Sequence, residues 1–247
     1  MKNIWTIAKR EYDTYFNSPV AYVIAFVILL ILGIYFALIL QYHTQNAYQS
    51  FGSAPDMQNV SGLFGFLMVL FLPTLTMRLL ADENRMGTLE LLLTAPLSDA
   101  ELIIGKWLGS FLFVLTIILT TLVYPIILNN LIDPGLDIPP LLSSYLGLIL
   151  IAASLIGLGV GISALFSNQI AAFFGTFGVG LFLWWMIGLP AIVTPVGGEV
   201  FRYLTMENHF SSLNTGVINL SDLVYFLSLT VLGLFVGTTA VEMKRWR

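Results

Sequence analysis

The sequence predicts an all-α integral membrane protein of six transmembrane helices, preceded by an amphipathic helix at the membrane interface. Three observations predict it. Of 247 residues, 57% are hydrophobic and only 10% charged, where a soluble domain carries about 25% charged residues. Six apolar runs, each near the roughly 20 residues that cross about 30 Å of hydrocarbon, alternate with short polar segments. The basic residues Lys2, Lys9, Arg10, Arg78, Arg85, Lys106, Lys244, Arg245 and Arg247 then all fall on one side of the path, with only Arg202 opposite.

Residues 3–17 place Ile4, Trp5, Ile7, Ala8, Tyr12, Tyr15 and Phe16 on one arc of a helical wheel and Thr6, Lys9, Arg10, Asp13 and Asn17 on the other. Only Glu11 breaks the apolar arc. Such a helix, with aromatics at its edge, lies in the interface plane. Ser18 offers an N-cap and Pro19 a first helical position, so a new helix starts there. This first span, about 19–41, is too long for the apolar core of a signal peptide and no small-residue cleavage site follows it, so it is expected to be retained.

Residues 42–60 carry no Lys or Arg and read as an external loop. The second span, about 61–81, contains Pro73 and ends near Arg78, which lies roughly 24 Å along the axis from Gly62 and can snorkel to the headgroups. A charged loop, 82–98, follows. Ser98 and Glu101 stand at capping-box spacing and start the third span, about 101–129, which enters the membrane at Lys106 and Trp107. The 130–140 loop again lacks basic residues. The fourth span covers about 141–166, a polar turn at 167–169 leads to the fifth, about 170–192, and a half-apolar external segment, about 199–220, holds Arg202, Glu207 and His209. Asn219 and Asp222 cap the last span, about 220–241. Pro73 and Pro125 are placed to kink spans two and three. The positive-inside rule puts both termini and the 82–98 loop in the cytoplasm. No repeat or linker divides the chain, so 1–247 is expected to be one domain.

The chemistry excluded is as informative. With no cysteine there is no disulfide framework or thiolate metal site. No GxxxxGK[ST] loop is present, because Gly105 and Lys106 are followed by Trp107 and lack the upstream glycine. An energy source in ATP must therefore belong to another chain. Gradient-driven transport would need ionisable groups within the spans, and none of the acidic residues falls inside a span core by these boundaries. His43 and His209 lie in separate external loops, which fits structural or solvated histidines better than a metal or enzyme site. The chain is expected not to be an enzyme itself.

The run ENRMGTLELLLTAPLSDAELIIGKWLG, 83–109, carries a resemblance. An acidic residue, Gly-Thr, Leu-Glu, an apolar pair, Pro, and Gly-Lys where the next helix enters the membrane are matched by Glu83, Gly87, Thr88, Leu89, Glu90, Leu91, Leu92, Pro96, Gly105 and Lys106. This pattern resembles the permeases of ABC type-2 exporters. The segments LPTLTMRLLADE, 72–83, and HFSSLNTGVINLSDLVYF, 209–226, are similar to the gliding-motility-associated and copper-processing exporter permeases.

The resemblance implies the transmembrane domain of an ABC type-2 exporter, without nucleic-acid partners, in a bacterial or archaeal cytoplasmic membrane. It implies two copies of an ABC ATPase subunit that bind the ATP and Mg, leaving this chain without a cofactor, and a second permease copy, identical or paralogous. The coupling face would be formed by the amphipathic start together with Asp82, Glu83, Arg85, Gly87, Thr88, Leu89, Glu90 and Pro96. Physically, Gly87 permits a tight turn, Thr88 can cap a short helix over 89–94, and Pro96 stops it.

Gly157 and Gly161, one turn apart with Ser154 and Gly159 nearby, and Gly175, Gly178 and Gly180 let helices approach closely, in the first instance within one subunit. Phe173, Phe177, Phe182 and Trp184, with Phe174 and Trp185, can line an apolar pathway, or anchor at the interface. The scarcity of charge in the spans favours a lipid-like or amphipathic cargo. The competing reading is a non-transporting anchor that holds an ATPase or a surface assembly at the membrane.

Overall fold

The computed structural model describes residues 2–45, 56–88, 97–133, 135–190 and 198–245. The described residues form helices joined by turns. α1 (Lys2–Phe16) gives way at Asn17 and Ser18 to α2 (Pro19–Gln45), as the Ser-Pro pair predicts. α3 (Gln58–Thr76) is followed by a non-helical step and α4 (Ala81–Arg85). α5 (Asp99–Thr120) and α6 (Val123–Leu131) make up the third stretch, and α7 (Ile138–Leu165) and α8 (Gln169–Trp184) the fourth and fifth. Two short helices, α9 (Gly198–Tyr203) and α10 (Met206–Asn214), precede α11 (Leu220–Arg245).

Five of these stretches, beginning at Pro19, Gln58, Asp99, Ile138 and Leu220, are long and apolar enough to cross a membrane. α8 is shorter than the expected 170–192 span. It runs for 16 residues, roughly 24 Å. Trp185 leaves helical geometry at φ −140° and ψ −41°, and a 3₁₀ turn over Met186–Gly188 follows. Positions 191 and 192 lie outside the described residues.

Local signals explain most boundaries. Ser98 Oγ accepts from Glu101 N and the Glu101 carboxylate accepts from Ser98 N, so the capping box forms. Asn168 Oδ1 accepts from Ile170 N and opens α8. The third stretch breaks at Thr121 and Leu122, four residues before Pro125. That proline has no N–H to give the Thr121 carbonyl and its ring crowds it, so the expected kink falls one turn upstream of the proline.

α7 is the centre of the bundle. In its most apolar window 78% of residues are buried by the protein, against 22% for α2. It packs on α11, α3, α5, α8 and α10, while α2 meets α3, α1 at its start, and Tyr124 of α6, which donates to the Leu29 carbonyl. α2 accordingly turns Ala21, Ile24, Ile28, Leu32 and Phe36 inward and leaves Tyr22, Phe26, Leu30, Ile34 and Leu38 exposed.

Burial of apolar surface does not drive helices together inside a bilayer, so close packing and polar contacts must. α7 and α11 supply the first. A methyl group built at Gly161 would fall on the Gly233 carbonyl, and one at Gly233 on the backbone of Gly157, while Gly237 faces the Gly161 Cα. The two backbones touch through four glycines. Gly157 and Gly161 therefore pack within the subunit, against partners on α11.

Ser163 of α7 supplies the second. Between α3 and α4 the chain breaks, and Ser163 Oγ accepts from Leu80 N and Ala81 N, both at 3.1 Å, while donating to the Met77 carbonyl at 3.2 Å. Backbone groups freed by a broken helix must find such partners where water is scarce. Ser163→Ala is expected to cost about 1–3 kcal/mol by stranding these buried amides, measured as a lower thermal midpoint in detergent than Ser154→Ala, whose hydroxyl serves only its own helix.

Candidate coupling site

The end of the bundle that gathers α1, α4, the start of α5 and the end of α11 is held by charge. Lys106, in the second turn of α5, is buried with only 5% of its side chain exposed. Its ammonium donates to Glu83 Oε1 at 2.8 Å and to Glu11 Oε2 at 3.3 Å. One cation thus joins three segments: α1, the start of the 82–98 stretch, and α5. Glu11, which interrupts the apolar arc of α1, does so because that arc faces a buried lysine.

Two glycines let α1 reach it. A Cβ at Gly105 would stand 2.7 Å from Ile7 Cβ, and one at Gly109 2.6 Å from the Ala8 carbonyl oxygen. The Gly-Lys pair of the sequence motif therefore has two functions, close approach by Gly105 and charge by Lys106. Further along, the Tyr15 hydroxyl lies 3.0 Å from both the Leu75 carbonyl oxygen and Ser110 Oγ, with its ring stacked on Phe113. Burial, and then the neighbouring Glu11 charge, push the Tyr15 hydroxyl well above the ordinary phenol range, so it stays protonated as a donor. Arg78 and Thr74 line a cavity of about 90 Å³ beside Glu11 and Tyr15.

Other contacts fix the rest of this end. Asp82 accepts from Gln169 Nε2 and pairs with Arg85 at 3.2 Å. Asn84 donates to the Phe166 carbonyl. Arg245 pairs with Asp99 at 2.8 Å and Lys244 donates to the Ala164 carbonyl at 2.7 Å, closing the C-terminal end of α7 with a cation. Asn3 donates to Glu101.

Of the residues expected at the coupling face, Asp82, Glu83, Arg85, Gly87 and Thr88 come together here. Gly87 has φ +69° with nothing near a would-be Cβ, so its requirement is conformational rather than steric. The Thr88 hydroxyl turns back to the Glu83 carbonyl. Leu89, Glu90 and Pro96, and the helix expected over 89–94, lie outside the described residues. Glu83 Oε2 is buried with no hydrogen-bond partner among the described residues.

The aromatic residues of α8 divide. Phe173 and Phe177 stack at 5.7 Å and are half-buried, and Phe182 is exposed. Trp184 is buried instead, near Phe66 of α3 and Phe210 of α10.

At the opposite end, His209 departs from the loop expectation. It lies on α10, 1% exposed, with Nδ1 2.7 Å from Asp222 Oδ1, and Tyr225 stacks on its ring at 4.1 Å. Asp222 is buried in the first turn of α11. Asn219 donates to its second oxygen. The pair clamps α10 to α11. The helical spacing on α10, with Met206, Phe210 and Leu213 buried beside His209, is the signal that places the histidine inward. His43 instead lies in the last turn of α2, bonded to the Ile39 carbonyl.

No match was found among curated proteins. The sequence model of the family described as ABC-2 family transporter protein matches residues 5–243, from α1 through nearly all of α11, and takes in Glu11, Glu83 and Lys106. Together with the long apolar helices, that match makes the chain a multi-pass membrane component of an ABC transporter, and it belongs to the ABC-2 transporter family.

Proposed function

We propose that the chain is the permease of an ATP-driven exporter, moved by a separate nucleotide-binding subunit. Two such subunits bind ATP and Mg and grip the cytoplasmic face formed by α1 and residues 82–98. Two permease copies, identical or paralogous, flank the pathway, in a bacterial or archaeal cytoplasmic membrane with both termini inside. The observation that carries this reading is the Lys106 ammonium held between Glu83 and Glu11. A push on the 82–98 segment reaches α5 and α1 at once, through charge-assisted bonds about twice as strong as neutral ones.

In this reading Asp82 and Glu83 transmit, Arg85 is exposed for the partner, Gly87 and Thr88 shape the turn, and Leu89, Glu90 and Pro96 complete the contact. Phe173, Phe177 and Phe182 face the pathway, while Trp184, buried within the subunit, does not. The scarcity of charge along the spans suits a lipid-like or amphipathic cargo.

The test is purification of the tagged chain from its own membrane into nanodiscs, native and as Glu83→Ala. A subunit with ATP-binding motifs is expected to accompany the native chain and to fall at least about tenfold in the variant, the equivalent of about 1.4 kcal/mol. Arg85→Glu, at an exposed position, checks that the loss follows the contact rather than unfolding. Absence of any ATPase while the permease dimer stays intact would remove the proposed motor.

A further inference from the structure

The two most extensive helix contacts among the described residues join α7 to α11 and α1 to α5. Glycine closes each pair, backbone against backbone. In the first, a Cβ at Gly157 would stand 3.1 Å from the Thr230 carbonyl oxygen, and one at Gly161 would fall on the Gly233 carbonyl. In the second, a Cβ at Gly109 would stand 2.6 Å from the Ala8 carbonyl oxygen. Each pair also carries a lysine bond of its own, from Lys244 to the Ala164 carbonyl and from Lys106 to Glu11. Where backbones touch, no side chain is left to adjust, so each pair moves as one body.

Where the pairs meet each other, along α5, side chains intervene. Gly237 of α11 faces Ile103 of α5, with a would-be Cβ 3.3 Å from Ile103 Cγ2. The polar ties across this seam also run through side chains. Arg245 pairs with Asp99 at 2.8 Å and donates to the Leu97 carbonyl at 3.3 Å. Trp107 Nε1 donates to the Ala153 carbonyl at 3.0 Å, and Thr121 Oγ1 lies 3.1 Å from the Tyr145 hydroxyl. Rotation of those side chains can follow a shift of about 1–2 Å, the size by which packed helices switch between arrangements. The Arg245 side chain is 38% exposed, so water can replace its partner as the seam slides, and an exposed pair of this kind yields readily.

α4 sits astride the seam. Glu83 reaches Lys106 on α5. Its neighbours Asp82 and Asn84 instead bond Gln169 and the Phe166 carbonyl, just beyond α7, and the amides of Leu80 and Ala81 bond Ser163 within α7. One short helix thus holds both bodies, each by a different side.

We infer that the bundle is built as two bodies, α1 with α5 and α7 with α11, and that α4 drives them past each other along the seam marked by Ile103, Trp107 and Gly237. The nucleotide-binding subunit of the exporter proposed above, on which this inference rests, supplies the force on α4. The seam is where the motion is taken up.

The chain has no cysteine, so two can be placed across the seam. In Ile103→Cys with Gly237→Cys, the new sulfur on α5 can take the place of Ile103 Cγ2, and Gly161 Cα, at 3.4 Å from the new Cβ, is at ordinary contact distance. The variant is isolated in nanodiscs with its ATPase, and ATP hydrolysis is measured after oxidation and again after reduction. Oxidation is expected to form the disulfide and to slow hydrolysis at least about tenfold, with recovery on reduction. Each single variant is expected to hydrolyse ATP alike in both conditions.

A formed disulfide with undiminished hydrolysis overturns the two-body inference and leaves the exporter standing. Failure of the disulfide to form overturns it as well, since α5 and α11 would not face each other at Ile103 and Gly237. Absence of hydrolysis from the native chain and both single variants removes the exporter itself, and with it the force on α4.

Discussion

Lys106→Met is expected to destabilise the chain by about 3–5 kcal/mol, because it leaves two carboxylates buried side by side without their cation. Glu11 and Glu83 are 19% and 16% exposed, too enclosed to be relieved fully by water. The loss is to be read as a fall in thermal midpoint in detergent. Replacing all three members, Lys106→Met with Glu11→Gln and Glu83→Gln, is expected to recover most of the stability, since a neutral cluster of similar volume carries no desolvation cost. The same triple variant separates fold from function: it is expected to stay folded yet to lose transport-coupled ATP hydrolysis, because the link from residue 83 to α5 and α1 is gone. A triple variant as unstable as Lys106→Met would show that the cluster is not the cause.

Gly233→Leu is expected to abolish the folded state, at a cost of at least about 3 kcal/mol from overpacking. Even a single methyl at this position would meet the Gly157 backbone, and backbone cannot swing aside as a side chain can. Size-exclusion of the purified variant is the measure, with the native chain eluting as a single species and the variant as aggregate. Gly178→Leu is the control. Nothing lies within 4 Å of a Cβ there, so it is expected to elute like the native chain. Disruption by both would mean that bulk in the spans, rather than the α7–α11 crossing, is what the protein rejects.

Which of these features can be read from sequence follows from how far apart the participants lie. The Ser98–Glu101 capping box, the Ser18–Pro19 restart and the Gly87 turn each involve neighbours, and each stands where the sequence puts it. Lys106 reads locally as the point where a span enters the membrane. Its counter-ions come from 23 and 95 residues away, and no periodicity reports such a pairing. Trp107 is similar, reading as an interface residue while donating to the Ala153 carbonyl of α7. The glycines at 157 and 161 announce a close approach but not the partner, since Gly233 and Gly237 lie on a helix with ordinary apolar composition. Ser163 gives no signal at all, because a lone serine in a span usually bonds its own helix. His209 is legible only once α10 is seen as amphipathic, and the surrounding Asn, Ser and Thr disguise that pattern.

The reach from Glu11 to Lys106 also sets an order of events during synthesis. The amphipathic first helix leaves the ribosome 95 residues ahead of the lysine and the glycines it packs on, a wait of about 5–20 s at 5–20 residues per second. Throughout that interval Ile4, Ile7 and Ala8 lack the Gly105 and Gly109 surface that covers them, and the membrane surface is the available shelter. Two settings therefore selected one helix: an early one on lipid, which asks for an apolar arc with aromatics, and a late one on α5, which asks for a carboxylate in the middle of that arc. Glu11 is a poor residue for the first and indispensable to the second, and its arrival at Lys106 marks the moment when a surface-bound segment becomes part of the bundle.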